Sequence, residues 1–267
     1  MQEKKSSVGT AVAILAISLL IAGGVVAAAL IISNNNSDSN EPVKASKSVD
    51  EPKKLENDNP GILSTDHVRG KRDSKVLVVE YADPQCPGCA TMMPKMDAIY
   101  EKYKDKVAFV YRHYPIAGHQ NAVSAAVAIE AAGKQGYFWE MYESLYTNRN
   151  SWVEKTGEAR TNTLAELFAG AAKGGDVEKF RADLSDENIL KKIDFDYTLG
   201  KDYDHVTATP SIYVNGEWID ITNIKTFDEV EEAVCNKIDI ALGKKPANSD
   251  DNTAKESEEA KTEANAE

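Results

Sequence analysis

Residues 80–103 read EYADPQCPGCATMMPKMDAIYEKY, and this stretch decides the fold class. An apolar, β-branched run at 74–83 leads into it and predicts a buried strand. Cys86 and Cys89 follow, separated by two residues. Methionines and aromatic residues then recur at helical spacing, which predicts an amphipathic helix over 87–104. The cysteine pair therefore lies where a strand passes into a helix.

The rest of the chain extends this unit into an α/β pattern. A second strand is predicted over 106–116, which makes the two strands parallel, with a right-handed crossover between them. The region 120–203 carries alanines and bulky residues at helical spacing and predicts a block of helices. Asn-Gly at 215–216 lies between two short apolar runs and predicts a hairpin. A last helix opens with a capping box at Thr226 and ends at Gly243.

The two ends of the chain differ from this folded part, which spans 62–244. Residues 8–32 are apolar or small, long enough to cross a bilayer, so we expect 1–32 to be a transmembrane anchor. A cleaved signal peptide is the alternative, although its apolar region is usually shorter. Two lysines before the apolar run place the N-terminus in the cytoplasm and the following domain outside it. The polar stretches 33–61 and 245–267 contain no aromatic residue and are expected to be a disordered linker and an acidic disordered tail.

Charge and cysteine usage narrow the class of protein. The 267 residues carry a net charge of −12, which argues against nucleic-acid binding, because that function needs basic patches. Three cysteines, Cys86, Cys89 and Cys235, are too few for a small scaffold held together by disulfides. The fold must therefore rest on an ordinary hydrophobic core, and the close cysteine pair needs another explanation.

The Cys86–Cys89 pair has three possible interpretations. A structural zinc site needs four ligands, but no second close pair of cysteines is present and the four histidines are scattered, so no metal is expected. A purely structural disulfide across so short a loop would stabilise little. A redox centre fits better, because a cysteine at a helix N-terminus has a lowered pKa and thiol–disulfide exchange needs a thiolate.

The redox interpretation assigns unequal roles to the two cysteines. Cys86 begins the helix and faces unpaired backbone N–H groups, so it is the expected attacking thiol. Pro87 suits the first helical turn because its missing N–H is not needed there. Cys89, one turn on, is the expected resolving thiol. A CxxC pair that directly follows an apolar strand and opens a helix is a strong signal for this chemistry.

The stretches EYADPQCPGC and VTATPSIYVNGEW, together with the helical block between them, resemble the DsbA-like branch of the thioredoxin superfamily over about 62–243. The resemblance implies an α/β, thioredoxin-like fold with an inserted helical domain at about 120–203. It implies a cis-proline at Thr209-Pro210, facing the disulfide. It also places Glu80 as the family's buried acid beneath the active site.

The same resemblance implies a function. We expect an extracytoplasmic, membrane-anchored oxidoreductase that introduces disulfides into secreted or surface proteins, with no cofactor. Glu80 would move protons, and Thr209 and Pro210 would present backbone groups to an extended, cysteine-containing polypeptide substrate. A quinone-linked membrane partner that reoxidises the pair is implied by the family. Pro87 and Gly88 would tune the redox potential.

The direction of the reaction stays open at this point. Strongly oxidising members of the family carry a histidine where this sequence has Gly88. One rival is therefore the same fold acting as a reductase or isomerase. A second rival is a tethered binding or chaperone-like module whose CxxC pair is incidental. Two further residues have plain expected roles: His119 starts or packs a helix, and Cys235 is a small buried hydrophobic residue.

Overall fold

The computed structural model describes residue 59 and residues 61–244. Within those residues the chain forms one five-stranded mixed sheet with helices on it. The strands are β1 (His67–Gly70), β2 (Leu77–Ala82), β3 (Ala108–His113), β4 (Ser211–Val214) and β5 (Glu217–Trp218). The helices are α1 (Pro87–Tyr103), α2 (Ala122–Gly133), α3 (Phe138–Thr147), α4 (Arg149–Trp152), α5 (Gly157–Ala171), α6 (Val177–Asp183), α7 (Glu187–Thr198) and α8 (Phe227–Ala241), with a π-helical segment at Leu199–Tyr203.

The strand order is β1-β3-β2-β4-β5. β2 and β3 are parallel and are joined through α1, which confirms the predicted strand–helix–strand unit. β4 runs antiparallel to β2, and β5 antiparallel to β4, which confirms the hairpin. The antiparallel edge strand β1 was not predicted. Its sequence, HVRG, is short and polar and gives no alternating apolar pattern.

The register of the sheet decides which side chains reach the cysteine pair. Glu80 on β2 lies opposite Tyr111 of β3 on one side and Ile212 of β4 on the other. Since side chains alternate along a strand, Glu80 and its cross-strand neighbours share one face of the sheet. The methionines of α1 pack against apolar residues of this face, and Met92 and Met96 are almost fully buried. Burying these side chains fixes α1, and the cysteines that begin it, on the sheet.

The predicted helical block contains α2 to α7 and the π-helical segment. Its bulky residues at helical spacing form the buried face of α3, namely Phe138, Met141, Tyr142, Leu145 and Tyr146. A buried ionic cluster also joins the block to the sheet. The two carboxylate oxygens of Glu130 on α2 lie 2.8 Å from His67 Nε2 of β1 and 3.0 Å from His113 Nε2 of β3.

The structure confirms the predicted hairpin turn and the predicted capping box of the C-terminal part, with one difference in the capping box. Asn215 and Gly216 have φ angles of 51° and 80°, the left-handed pair that a tight hairpin turn needs. Thr226 Oγ1 accepts a hydrogen bond from the Glu229 backbone N–H at 3.2 Å, as a capping box requires. The Glu229 carboxylate, however, accepts from the N–H of Lys225, one residue before the N-cap.

The predicted anchor at 1–32 and the predicted tail at 245–267 lie outside the described residues, as does most of the linker at 33–61. In the part of the chain that the structure describes, no helix is both long enough and apolar enough to cross a membrane.

Candidate active site

Cys86 lies at the junction of strand and helix that the sequence predicts. β2 ends at Ala82, a short turn follows, and Cys86 is the N-cap of α1 with Pro87 at its first position. The pair is present as two free thiols, with Cys86 9% exposed. Cys86 is thus buried except for a small part of its surface, and its backbone is fixed by the helix.

Hydrogen bonds to the Cys86 sulfur favour its thiolate. The Cys89 thiol is the strongest donor, and the backbone N–H groups of Gly88 and Cys89 add to it. The Thr209 side chain also lowers the pKa, although its buried hydroxyl makes no hydrogen bond among the described residues. These donors outweigh the opposing effect of burial and bring the pKa of Cys86 to about 5. Cys86 is therefore ionised at neutral pH, as a nucleophile in thiol exchange must be.

Cys89 has the opposite environment, although it is only one helical turn away. It is 1% exposed, and burial raises the pKa of its thiol well above the ordinary value. The neighbouring Cys86 sulfur raises that pKa further, while the Asp83 backbone N–H lowers it slightly. Cys89 therefore stays protonated and needs a base before it can attack.

The cis-proline loop completes the exposed side of the site. The Thr209-Pro210 peptide bond is cis, as the resemblance implies, and the Thr209 carbonyl oxygen lies 3.4 Å from the Cys86 sulfur. Gly88 faces this loop. A Cβ atom placed on Gly88 would lie 3.5 Å from the Pro210 ring and 3.7 Å from the Cys86 sulfur. A side chain at position 88 would thus contact both groups directly without a clash.

Glu80 lies beneath the pair, on the buried side of the sheet. It is 5% exposed, and burial raises the pKa of its carboxyl from 4.5 to about 7. The Arg69 guanidinium opposes this rise, and the Asp97 carboxylate adds to it. The charge of Glu80 also raises the pKa of Cys89, so the two groups interact. A carboxyl that titrates near neutral pH beside a protonated thiol is suited to exchange a proton with it.

Three side chains that sequence patterns do not indicate hold the turn before Cys86. Asp83 is fully buried, and its carboxylate accepts from the Gln85 N–H at 2.8 Å and lies 2.6 Å from His119 Nδ1. Arg149 of α4 donates from Nε and Nη2 to the Gln85 carbonyl oxygen at 2.9 and 2.5 Å. His119 therefore braces the active-site turn, beyond its expected role at a helix start. These contacts join residues 36 and 64 positions apart, which no local pattern reports.

The structure brings together all the predicted site residues: Glu80, Cys86, Pro87, Gly88, Cys89, Thr209 and Pro210. Cys235 lies apart from them on α8. It is partly exposed, and so it is less buried than the sequence predicts. Among the described residues, no group of three or more histidine, cysteine or acidic side chains is arranged to hold a metal ion.

Comparison with known proteins agrees with this site. A family model described as thioredoxin matches residues 63–235, a span that includes both cysteines and the cis-proline. The chain belongs to this family, as a DsbA-like thiol–disulfide oxidoreductase whose redox pair is Cys86 and Cys89. The resemblance inferred from the CPGC stretch is thereby confirmed.

Solved structures share the fold. Oxidised BdbD of Bacillus subtilis has a TM-score of 0.58 and 24% identity, covering 70% of this chain and 97% of its own. The α-DsbA1 protein of Wolbachia pipientis has a TM-score of 0.54 and 23% identity, covering 68% and 93%. The catalytic domain of Proteus mirabilis ScsC has a TM-score of 0.51 and 19% identity, covering 65% and 89%. At these identities the likeness concerns the fold alone.

Curated relatives include much longer proteins. The chain is 33% identical over 157 residues to the Na(+)/H(+) antiporter NhaA 1 of Mycolicibacterium gilvum, covering 57% of this chain and 24% of the antiporter. It is 37% identical over 153 residues to NhaA 1 of Salinispora arenicola, covering 57% and 22%. The chain thus spans about a quarter of the length of these relatives. The similarity concerns one segment of them and brings no transport activity to this chain.

Proposed function

We propose that this protein works outside the cytoplasm as a membrane-anchored oxidase that forms disulfides in secreted or surface proteins. The carrying observation is the position of the Cys86 sulfur at the N-terminus of α1, among donors that lower its pKa to about 5. A disulfide is a strong oxidant when its reduced form is stabilised, and a thiolate held by donors stabilises that form. The location is supported by the apolar run at 8–32 and by the oxidising conditions that disulfide formation needs.

The chemistry follows from the unequal pair. A substrate thiolate attacks the Cys86 sulfur of the disulfide form, the Cys86–Cys89 bond breaks, and Cys89 leaves and takes a proton from Glu80. The second substrate thiolate attacks the substrate sulfur of the mixed disulfide, and Cys86 leaves as its stabilised thiolate. Two electrons have then passed from the substrate to the cysteine pair. In the reverse direction Cys89 resolves the mixed disulfide formed by Cys86.

Substrate binding is assigned to the cis-proline loop. The Thr209 carbonyl lies beside the Cys86 sulfur, so an extended polypeptide that pairs with this backbone places its own sulfur next to Cys86. Such pairing uses backbone hydrogen bonds and does not depend on the side chains of the substrate. The loop is therefore suited to unfolded substrates of many different sequences. A membrane partner that removes the two electrons and restores the disulfide completes the cycle.

The redox potential of the purified domain tests the direction. We expect a value between those of thioredoxin, about −270 mV, and DsbA, about −120 mV, because the thiolate is stabilised but Gly88 adds no charge. Equilibration with glutathione buffers, read by mass spectrometry of the alkylated protein, measures it. A potential at or below that of thioredoxin would overturn the oxidase proposal.

That outcome would favour the second candidate, a reductase or isomerase of the same fold. The observation in its favour is Gly88, which stands beside the Cys86 sulfur and carries no cation. A reductase would reduce a disulfide-bearing substrate through attack by Cys86 and resolution by Cys89, and it would need an electron supply from across the membrane.

The membrane anchor has its own test. Mass spectrometry of the membrane fraction should find peptides from residues 1–5 in the mature protein. A mature N-terminus near Ser33 in a soluble fraction would show cleavage instead.

A further inference from the structure

The exchange reaction requires a proton to travel between Glu80 and solvent in every turnover. Glu80 and Cys89 are both buried, at 5% and 1% exposure, and Cys86 is where a partner binds. A docked partner covers that side of the site. The proton therefore needs a second way out, on a side that a partner leaves open. This reasoning rests on the redox role of the pair, whichever direction the cell uses.

Two charged groups lie on the same face of the sheet as Glu80, towards the edge formed by β1. Arg69 of β1 and Asp97 of α1 are the charges that shift the Glu80 carboxyl. Arg69 Nη1 donates to Asp97 Oδ1 at 2.8 Å, and their side chains are 15% and 34% exposed. Asp97 therefore meets solvent while it stays within the electrostatic reach of Glu80.

A third group, Tyr142 of α3, lies among these residues. It is 1% exposed, and the charges that act on its hydroxyl are those of Glu80, Arg69, Asp97 and Cys89. Its Oη atom has no hydrogen-bond partner within residues 61–244. A hydroxyl can accept one hydrogen bond and donate another, so this unpaired hydroxyl is free to bond water that bridges it to its neighbours and to relay a proton through that water.

The other tyrosines that face Glu80 differ in this respect. Tyr111 of β3 and Tyr146 of α3 are also buried and interact with Glu80 and Cys89. Their hydroxyl oxygens are 3.2 Å apart and pair with each other. Neither residue lines the cavity described next, whereas Tyr142 does.

A surface cavity of about 340 Å³ opens at these groups. Arg69, Asp97 and Tyr142 all line it, together with Tyr100, Glu101, Trp139, Glu140 and Glu143. The Arg69 guanidinium carbon is held 4.3 Å from the centroid of the Tyr100 ring and 4.5 Å from that of Trp139. A polar cavity of this size has room for several water molecules.

We propose that Asp97 and Tyr142, with Arg69 holding Asp97 in place, form the proton route between Glu80 and solvent, and that this cavity, which is not lined by the cis-proline loop, is its mouth. The three residues act through Glu80 and do not touch the reacting sulfurs. The route keeps proton exchange open while a partner occupies Cys86.

Cys89 resolves a mixed disulfide between Cys86 and glutathione in the following steps. The Cys89 thiol gives its proton to the Glu80 carboxylate. The Cys89 thiolate attacks the Cys86 sulfur, the Cys86–Cys89 bond forms, and glutathione leaves as a thiolate that has gained two electrons. Glu80 then passes the proton through Tyr142 or Asp97 to the cavity, and bulk water delivers it to the glutathione thiolate.

The experiment measures how fast Cys89 resolves this mixed disulfide, by stopped-flow, across pH 5 to 9. Tyr142→Phe should slow the step about 3- to 10-fold near pH 7 without moving the midpoint of the profile. Asp97→Asn should slow it similarly and move the midpoint to lower pH, because it removes a negative charge that raises the pKa of Glu80. Asp97→Glu should keep the rate near that of the wild type.

Two control variants and a rescue experiment distinguish a proton-relay role of these residues from a purely structural role. Tyr146→Phe removes a buried hydroxyl on the same helix, and Glu158→Gln removes an exposed carboxylate on α5, outside the cavity, and both should leave the profile unchanged. Imidazole, a small proton carrier that fits the cavity, should restore the rate of Asp97→Asn but not of Glu80→Gln. Equal slowing by the controls, no slowing by Tyr142→Phe, or no rescue by imidazole would each overturn the route.

The failure of this inference is distinct from failure of the oxidase proposal. Resolution of a glutathione mixed disulfide occurs in any active CxxC pair, so the test does not depend on the redox potential, on the location of the protein or on its natural substrate. A low redox potential with a normal effect of Tyr142→Phe would overturn the oxidase and leave the route standing.

Discussion

Cys86 and Cys89 are three positions apart on one helix, yet their surroundings shift their thiols in opposite directions. Cys86 is at the helix N-terminus, and the donors around it bring its pKa to about 5. Cys89 lies one turn further in, is 1% exposed, and has a pKa well above the ordinary value. One turn of helix thus separates the Cys86 sulfur, which is surrounded by N–H donors, from the Cys89 sulfur, which lies in an apolar core.

The difference shows that the two halves of the exchange reaction have different requirements. A leaving group or attacker at the surface needs a stable thiolate, which hydrogen-bond donors provide. A buried resolving thiol must stay neutral until it reacts, which burial ensures. The cost is that Cys89 needs a base, and Glu80 is positioned to act as one.

The largest expected effect is on the trapping of a mixed disulfide between Cys86 and a substrate peptide. Cys89→Ala removes the resolving thiol, so Cys86 should accumulate as a mixed disulfide with a disulfide-bearing peptide. Cys86→Ser should form no such adduct, because the remaining thiol is buried and protonated. Non-reducing electrophoresis and mass spectrometry after acid quench distinguish the two. Equal trapping by both variants would contradict the difference between the cysteines.

The next largest effect concerns how the free energy of unfolding depends on pH. Glu80 has a raised pKa in the folded protein, so its folded form holds the proton more tightly, and stability falls as pH rises from about 4.5 to about 7. Glu80→Gln carries no charge and should lack this fall. Relative to the wild type it should gain about 3 kcal/mol between pH 4 and pH 8. Urea unfolding of the reduced proteins at both pH values measures the gain, and a constant difference would contradict the buried carboxyl.

A smaller change is expected at Gly88. An imidazolium beside the Cys86 sulfur should stabilise its thiolate further, so Gly88→His should raise the redox potential by about 30 mV for each pH unit by which the Cys86 pKa falls. Gly88→Ala is the matched control, since a Cβ atom alone fits the space and adds no charge. An equal rise with alanine would mean that packing, and not charge, sets the potential.

The smallest effect is expected at Arg149. Its guanidinium donates twice to the Gln85 carbonyl oxygen, and Arg149→Gln should cost about 1–2 kcal/mol of stability. Because the turn before Cys86 loosens, the alkylation rate of Cys86 should change as well. Arg160→Gln is a useful comparison, since Arg160 bonds Asn121 of the same region but not the turn itself. The same effect of both variants on Cys86 alkylation would remove the special role of Arg149.

The part of the molecule that local patterns determine could be read from the sequence. The strand before Cys86, the helix after it and the Asn-Gly hairpin each have a period or a turn signal of their own. The same holds for Cys86 at a helix N-terminus, because a proline and a CxxC pair mark that position. The cis peptide bond at Pro210 depended on the resemblance, since the residues alone do not indicate it.

The part that distant contacts determine could not be read. Arg69 lies on a short edge strand and faces the interior, whereas a lone arginine in a polar stretch is ordinarily read as exposed. Its partner Asp97 is 28 positions away, and Asp83 and His119 are 36 apart. No periodicity links such residues, and only the packing of helices on the sheet brings them together.

The central claim is that Cys86 is the thiolate and Cys89 the protonated thiol of the pair. Alkylation of the reduced protein with iodoacetamide, at pH 3 to 10 and mapped to each cysteine by mass spectrometry, tests it most directly. Cys86 should react with a midpoint near pH 5, while Cys89 should react only at a pH well above the ordinary midpoint of a thiol. A common midpoint near the ordinary value for both cysteines, or a lower midpoint for Cys89, would contradict it.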